Sequence, residues 1–345
     1  MPDGTGTEGT PRTVSVSAPG KLHLLGEYAV LAGAPALLMA VDRRVSVVLT
    51  ESDSGWSLTA PELGVDKLAL GEHGGLPDGL DNCLHHRLTL VDSVRREVDE
   101  LAPSTGGLNI DIESSQFLHH GDKLGLGSSA AVAVALTAAF AASRGVQLTP
   151  AELFARAARA HSAAQGGKGS GADIATTVHG GHILFRQGSE PHRVSWPHDL
   201  ALFAVVTGTG SSTVDLVARV ADYGARDHEG YLRDLSRLCS LAESIDKALA
   251  DTDTFLALAD EYFLGIEAFD AHAGAGIVTE RHRALRLLAA GSGGVFKTSG
   301  AGGGDLGLVF AKLESTDQLQ SVFTEAGATV IPVPFSRDGV RRESS

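Results

Sequence analysis

Cysteine is nearly missing from this chain: two residues in 345, Cys83 and Cys239, far apart in sequence. Two isolated thiols make neither a disulfide framework nor a paired metal-ligand motif, and they suit a reducing, cytoplasmic setting. Aromatic residues supply only 5% of the chain. Basic charge is also short, since 28 Lys and Arg against 42 Asp and Glu leave a net charge of −14. That balance argues against a nucleic-acid partner, which needs a basic surface to neutralise phosphates. It does not exclude a small anionic ligand, which answers to the local field of a cleft. No apolar run near the start has the form of a signal peptide, and none reaches the roughly 20 residues of a membrane span. No internal repeat is visible. Residues 1–12 read as a disordered leader and residues 336–345 as a polar tail.

Glycine is what the chain has in quantity, with 42 residues. The 43% hydrophobic and 20% charged content is that of a globular protein long enough for two domains or one large one. One stretch organises the rest: DKLGLGSSAAVAVALTAAFAAS, residues 122–143. Gly125 and Gly127, on either side of Leu126, allow a tight turn and a close approach by a ligand. Ser128, Ser129 and Ala130 then open a helix whose first N–H groups have no internal partner. Such a terminus suits an anion, because several amides converge and the helix dipole adds roughly half a positive charge. From Ser128 to Ser143 there is no charge and alanine dominates, so the helix is expected to be packed on most sides. Taken alone, an ordinary turn before a buried helix explains this stretch as well as phosphate binding does. It is neither a G-x-x-x-x-G-K-[ST] loop nor G-x-G-x-x-G.

Along the chain, Thr13–Ser17 alternates as a strand and runs into a bend at Pro19-Gly20-Lys21. Lys21 is open to two readings, a solvated surface charge or a cation turned into a cleft. Residues 36–50 continue as strands, residues 53–82 read as loop, and residues 84–101 have helical spacing. Residues 107–114 alternate as a strand. The pairs His85-His86 and His119-His120 do not share a helix face, which disfavours a metal site. Thr149-Pro150-Ala151-Glu152 is a helix start with the elements of a capping box, for a helix to about residue 164. Beyond the glycines that follow, Asp173 either caps the segment beginning at Ile174 or does chemistry. The composition shifts near residues 190–200, dividing the chain into units 13–195 and 196–335. A strand at 202–206 leads into TGTGSST, helical patterns fill 229–250, 252–273 and 277–290, and strands at 294–298 and 306–311 flank SGAGGGD. A helix over TDQLQSVFTEAG and a strand over ATVIPVPF complete an α+β pattern with an antiparallel sheet.

Three of these segments occur together: SAPGKLHLLGEYAV, KLGLGSSAA and KTSGAGGGDLGLVF. In this order and spacing they resemble the GHMP small-molecule kinases, over nearly the whole span from Thr13 to Phe335. Within that family GEYAV, AVDRRV, AAQGGKGSGADIATTVHGG, TGTGSST and SGAGGGD are most similar to the phosphomevalonate kinases. His23 departs from the pattern, standing where such kinases often carry an aromatic residue, and so does Gly166-Gly167-Lys168.

The resemblance implies a two-domain α+β fold with a ferredoxin-like C-terminal domain and an active site in the cleft between the domains. It implies ATP held by the amides of Gly125–Ala130, and Mg²⁺ on a hydroxyl of Ser128 or Ser129. Lys21 would stabilise the transferring group and Asp173 would be its carboxylate partner. The implied acceptor is phosphomevalonate, with His23, Lys123, Ser170, Ser211, Ser212, Thr213, Ser299, Ala301 and Gly302 as candidate contacts. A monomer or homodimer is expected, with no nucleic-acid or membrane partner. Two alternatives stay open: a mevalonate kinase or other GHMP kinase acting on a hydroxyl, and a GHMP-like protein that binds a metabolite without turning it over.

Overall fold

The computed structural model describes residues 11–104, 106–167, 169–208, 213–304 and 306–344. The chain opens with β1 (Thr13–Leu25), on which Val14, Val16 and Ala18 point inward before the strand becomes buried on both faces. It runs antiparallel to β2 (Ala36–Ser52), with the register shifting between Pro19 and Gly20. The bend expected here is a bulge inside one long strand, at a proline that lacks the N–H a ladder needs. Gly20 has a positional reason. A Cβ there would sit 2.8 Å from the Phe117 ring and 2.9 Å from the Leu126 carbonyl. Only a bare backbone lets the Gly125–Gly127 loop lie against the strand, where Lys21 N–H donates to the Leu126 carbonyl at 2.8 Å.

Residues 53–82, which read as loop, contain two short strands, β3 (Ser57–Ala60) and β4 (Val65–Ala69). Buried Trp56 anchors them beside Phe140. Helix α1 (Asn82–Asp99) and β5 (Gly107–Glu113) follow, then a hairpin of β6 (Leu118–His119) and β7 (Asp122–Lys123). Helix α2 (Ser128–Ser143) rests on β1 and β2 beneath α1 and α3 (Pro150–Ala164). Covered on every side, it can be apolar all round. Helix α3 starts as its sequence predicts. The Thr149 hydroxyl and the Glu152 carboxylate cap each other's backbone N–H groups.

Helix α4 (Ala172–His179) leads to β8 (His182–Phe185) on β2, and β9 (His192–Arg193) pairs β8. Among the described residues the first sheet runs β14 (Arg341–Arg342), β1, β2, β5, β3, β4, with β8 on β2 and β9 on β8. Its edge strand β14 pairs β1 at Val16 and Ser17, which corrects the expectation of a free polar tail. Side-chain polarity does not stop a segment from hydrogen-bonding through its backbone to an open sheet edge. Arg44 fastens this return, donating to the carbonyls of Ser17 and Gly339.

The second sheet is antiparallel in the order β11 (Val295–Thr298), β12 (Leu306–Lys312), β10 (Leu200–Val206), β13 (Val330–Ile331). Of the expected last strand, Val330–Ile331 pairs β10, while Phe335 makes an isolated bridge to Val41 of β2. Helices α5 (Thr213–Arg226), α6 (His228–Ala242), α7 (Ile245–Ala248), α8 (Thr252–Ala273), α9 (Glu280–Ala290) and α10 (Thr316–Glu325) accompany it, with α8 and α9 against β11. This is the expected α+β fold with a ferredoxin-like second half. Among the described residues no helix is long and apolar enough to cross a membrane.

Candidate active site

Between the two sheets lies a cleft of about 580 Å³, lined from one side by Lys21, His23, Glu27, Tyr28, Gly125–Ser129, His161 and Asp173, and from the other by Ser299–Gly302. Its floor follows from the start of α2. Gly127 caps the helix with φ 76°, in the left-handed region that favours glycine. The first intrahelical bond is Ala131 N–H to the Gly127 carbonyl, so the amides of Ser128, Ser129 and Ala130 precede the ladder. A Cβ on Gly127 would stand 2.7 Å from Lys21 Cε, so the glycine also makes room for that side chain.

Lys21 Nζ lies 3.3 Å from Asp173 Oδ2, with the lysine side chain 9% exposed and the aspartate 37% exposed into the cleft. The lysine is therefore not a solvated surface charge. The aspartate is not a cap either. Helix α4 begins at Ala172 behind Gly171, and the Ala172 N–H is taken by the Ser170 hydroxyl. Burial pushes the Asp173 pKa up, but Lys21, His23 and His161 together hold it below the usual carboxylate value. It stands in the cleft as an anion.

His23 is 7% exposed and its Nε2 has no partner. Burial is the main cause that lowers its pKa, so the ring is neutral near pH 7. Lys123 reaches the rim from β7, and Ser170 lines the cleft near Asp173. Ser299, Ala301 and Gly302 form the facing wall, with the Ser299 hydroxyl donating to the His23 carbonyl at 3.1 Å. Ala130 alone of the described candidates does not line the cleft. It is fully buried under the loop. Ser211 and Ser212 lie outside the described residues, as does the side chain of Thr213 at the start of α5.

Sequence reasoning missed four side chains here. His161 Nε2 is 3.0 Å from Ser129 Oγ and 3.1 Å from Gln165 Nε2, and burial lowers its pKa. Its position four residues after buried Ala157 was the available signal. Glu27 and Lys297 form an ion pair with side chains 2% and 0% exposed, joining β1's end to β11. The Tyr28 hydroxyl donates to the Ala301 carbonyl at 2.6 Å. All three stood inside quoted motifs, but a pairing across 270 residues has no local signature. Among the described residues no group of three or more His, Cys, Asp or Glu is arranged for a metal.

The family model for the GHMP kinases N terminal domain matches residues 89–181, from α1 to the turn before β8. The chain is 30% identical to the phosphomevalonate kinase of a Streptomyces species, over 95% of this chain and 99% of that one. It is 29% identical to the mevalonate kinase of Pyrococcus abyssi, over 96% and 98%. The solved Streptococcus pneumoniae phosphomevalonate kinase, in complex with phosphomevalonate and AMPPNP, superposes with a TM-score of 0.77 at 19% identity, covering 95% and 99%. Fold and cleft thus define the class, a small-molecule kinase. The chain belongs to the GHMP kinase family, whose members use ATP.

Proposed function

We propose that this kinase serves the mevalonate pathway, transferring the γ-phosphoryl group of ATP to the phosphate of 5-phosphomevalonate to give 5-diphosphomevalonate and ADP. The observation that carries the acceptor is the full-length likeness to a phosphomevalonate kinase at 30% identity. The Lys21–Asp173 pair beside the Gly125–Ser129 loop supports the chemistry. We take residues 13–195 and 196–335 as the two domains, with the cleft between them as the active site.

Phosphoryl transfer asks for positioning and charge neutralisation more than covalent help. The amides of Ser128, Ser129 and Ala130, at the positive end of α2, hold the ATP phosphates. Lys21 brings its ammonium to the transferring group and stabilises the negative charge that grows there. Asp173, already an anion, fixes the direction of Lys21. A phosphate monoester has a second pKa of about 6, so the acceptor arrives largely as a dianion. One of its oxygens forms the new bond to the γ-phosphorus as the bond to the β–γ bridging oxygen breaks. The electron pair leaves with ADP, and no proton has to be removed from the acceptor.

The hydroxyls of Ser128 and Ser129 fit Mg²⁺, a hard cation that takes oxygen ligands, keeps several waters and is usually shared with substrate phosphates. When bound it neutralises phosphate charge. The acceptor's own phosphate needs donors, and Ser299, the amides at Ala301 and Gly302, Ser211, Ser212, Thr213, Ser170, Lys123 and His23 are the candidates.

A mevalonate kinase is the second reading, favoured by the 29% full-length identity to the Pyrococcus enzyme. There Asp173 would accept the proton of a hydroxyl. ADP release with Mg·ATP and phosphomevalonate, mevalonate or homoserine, side by side, tests the choice. Preference for phosphomevalonate is expected, and preference for mevalonate would overturn the acceptor assignment.

A further inference from the structure

Tyr28 is a bulky residue at φ 62°, ψ −47°, where non-glycine residues are strained unless their surroundings over-determine them. Three contacts do so here. Its ring packs on Phe269 with centroids 5.5 Å apart, the preceding Glu27 carbonyl accepts from the Tyr262 hydroxyl at 2.9 Å, and its own hydroxyl donates to the Ala301 carbonyl at 2.6 Å. Burial foremost, and then Asp270 and Glu27, raise the pKa of that hydroxyl, which keeps it a donor. The Ala301 side of the bond belongs to the glycine-rich wall of the cleft. From behind, that wall is tied to the α8–α9 connection by the Gly303 N–H, which donates to the Ile277 carbonyl at 2.9 Å. On the cleft side, besides Ser299 on His23, it is held by Tyr28.

We propose that Tyr28 is a positioning residue for the acceptor: its hydroxyl fixes the Ala301 carbonyl and so sets the 299–304 loop against the wall that carries Lys21. The proposal rests on the reading of Ser299–Gly302 as acceptor contacts. Tyr28 acts through the loop, while Lys21 and the Gly125–Ser129 loop are untouched by the bond. Its loss therefore acts on the acceptor and spares ATP.

The test compares Tyr28→Phe with Tyr262→Phe, which removes a hydroxyl of the same chemistry from the neighbouring Glu27 carbonyl without touching Ala301. KM for ATP and for the acceptor turned over best are measured, with hydrogen exchange of residues 299–304. Tyr28→Phe should raise the acceptor KM about three- to tenfold, the range of one net hydrogen bond, and speed exchange in 299–304 by a similar factor. Its KM for ATP should stay within about twofold, and Tyr262→Phe, which leaves the ring packing on Phe269 and the Ala301 bond of Tyr28 in place, should move the acceptor KM and that exchange clearly less than Tyr28→Phe does. Unchanged exchange in 299–304, equal rises in both KM values, or the same effects from Tyr262→Phe would each overturn the proposal. So would a larger drop in melting temperature for Tyr28→Phe than for Tyr262→Phe with the acceptor KM unchanged, which would mark Tyr28 as structural. Faster exchange with an unchanged acceptor KM would show that the loop is latched but does not hold the acceptor. That result overturns the proposal through its acceptor premise alone, whichever acceptor the enzyme prefers.

Discussion

Asp173→Asn separates an orienting carboxylate from a general base. The substitution keeps size and shape, and its amide oxygen can still accept from Lys21 Nζ, now 3.3 Å from Oδ2. A hydrogen bond to a charged group is worth about 1.5–3 kcal/mol, and a charge-assisted bond is about twice as strong as a neutral one. Asparagine, lacking the carboxylate's charge, forfeits about half, on the order of 0.7–1.5 kcal/mol, which is roughly a three- to twelvefold fall in kcat. Loss of a general base costs about 10²- to 10⁴-fold instead. The assay is steady-state kcat with phosphomevalonate across pH, for the wild type and the variant. An acidic limb near pH 6 belongs to the acceptor's second ionisation and should survive in both. A loss beyond about 10³-fold would make Asp173 a base and refute the orienting role. Full activity in Asp173→Asn, with activity lost in Lys21→Met, would refute it from the other side.

Gly127→Ala places a methyl 2.7 Å from Lys21 Cε at φ 76°. We expect about 1–3 kcal/mol of lost stability in denaturant melts and at least about 10²-fold lower kcat, since a small misplacement of a catalytic group costs that much. Glu27→Gln strands buried Lys297, so it should cost about 3–5 kcal/mol by chemical denaturation, and the double variant Glu27→Gln/Lys297→Met should recover part of that. Stability should also depend on pH through His282, which is fully buried and accepts the Thr279 N–H on Nδ1. Burial pushes its pKa from 6.5 down to about 4. The unfolded chain takes up that proton first as pH falls, so stability is whole above pH 6.5 and declines toward pH 4. The loss is at most roughly 3.5 kcal/mol at about 1.4 kcal/mol per pKa unit. Urea melts at pH 7 and pH 5 should show it, and His282→Gln should flatten it. An equal slope in that variant would contradict the assignment.

What could be read from the sequence were features written locally. The uncharged run after Gly127 foretold a helix covered on all sides, and Thr149 and Glu152 foretold their reciprocal cap. The three glycine motifs marked the cleft walls because close approach leaves a compositional trace. Pairings made only by tertiary folding were not legible. Whether Asp173 capped a helix or met Lys21 depended on where β1 runs relative to α4, and only the family resemblance, not the local sequence, pointed to the pair. Glu27 with Lys297, and Tyr28 with Ala301, join the two halves and have no spacing to betray them. Strands β3 and β4 were missed because they are short and partly exposed, and β14 because a polar segment gains its place through backbone bonds.

The most direct test of the central claim is the ³¹P spectrum of the product formed from Mg·ATP with phosphomevalonate and, separately, with mevalonate. Conversion of the monoester resonance of phosphomevalonate into the coupled pair of a diphosphate, with mevalonate unchanged, is the predicted result. A new monoester resonance from mevalonate, with phosphomevalonate left intact, would contradict it.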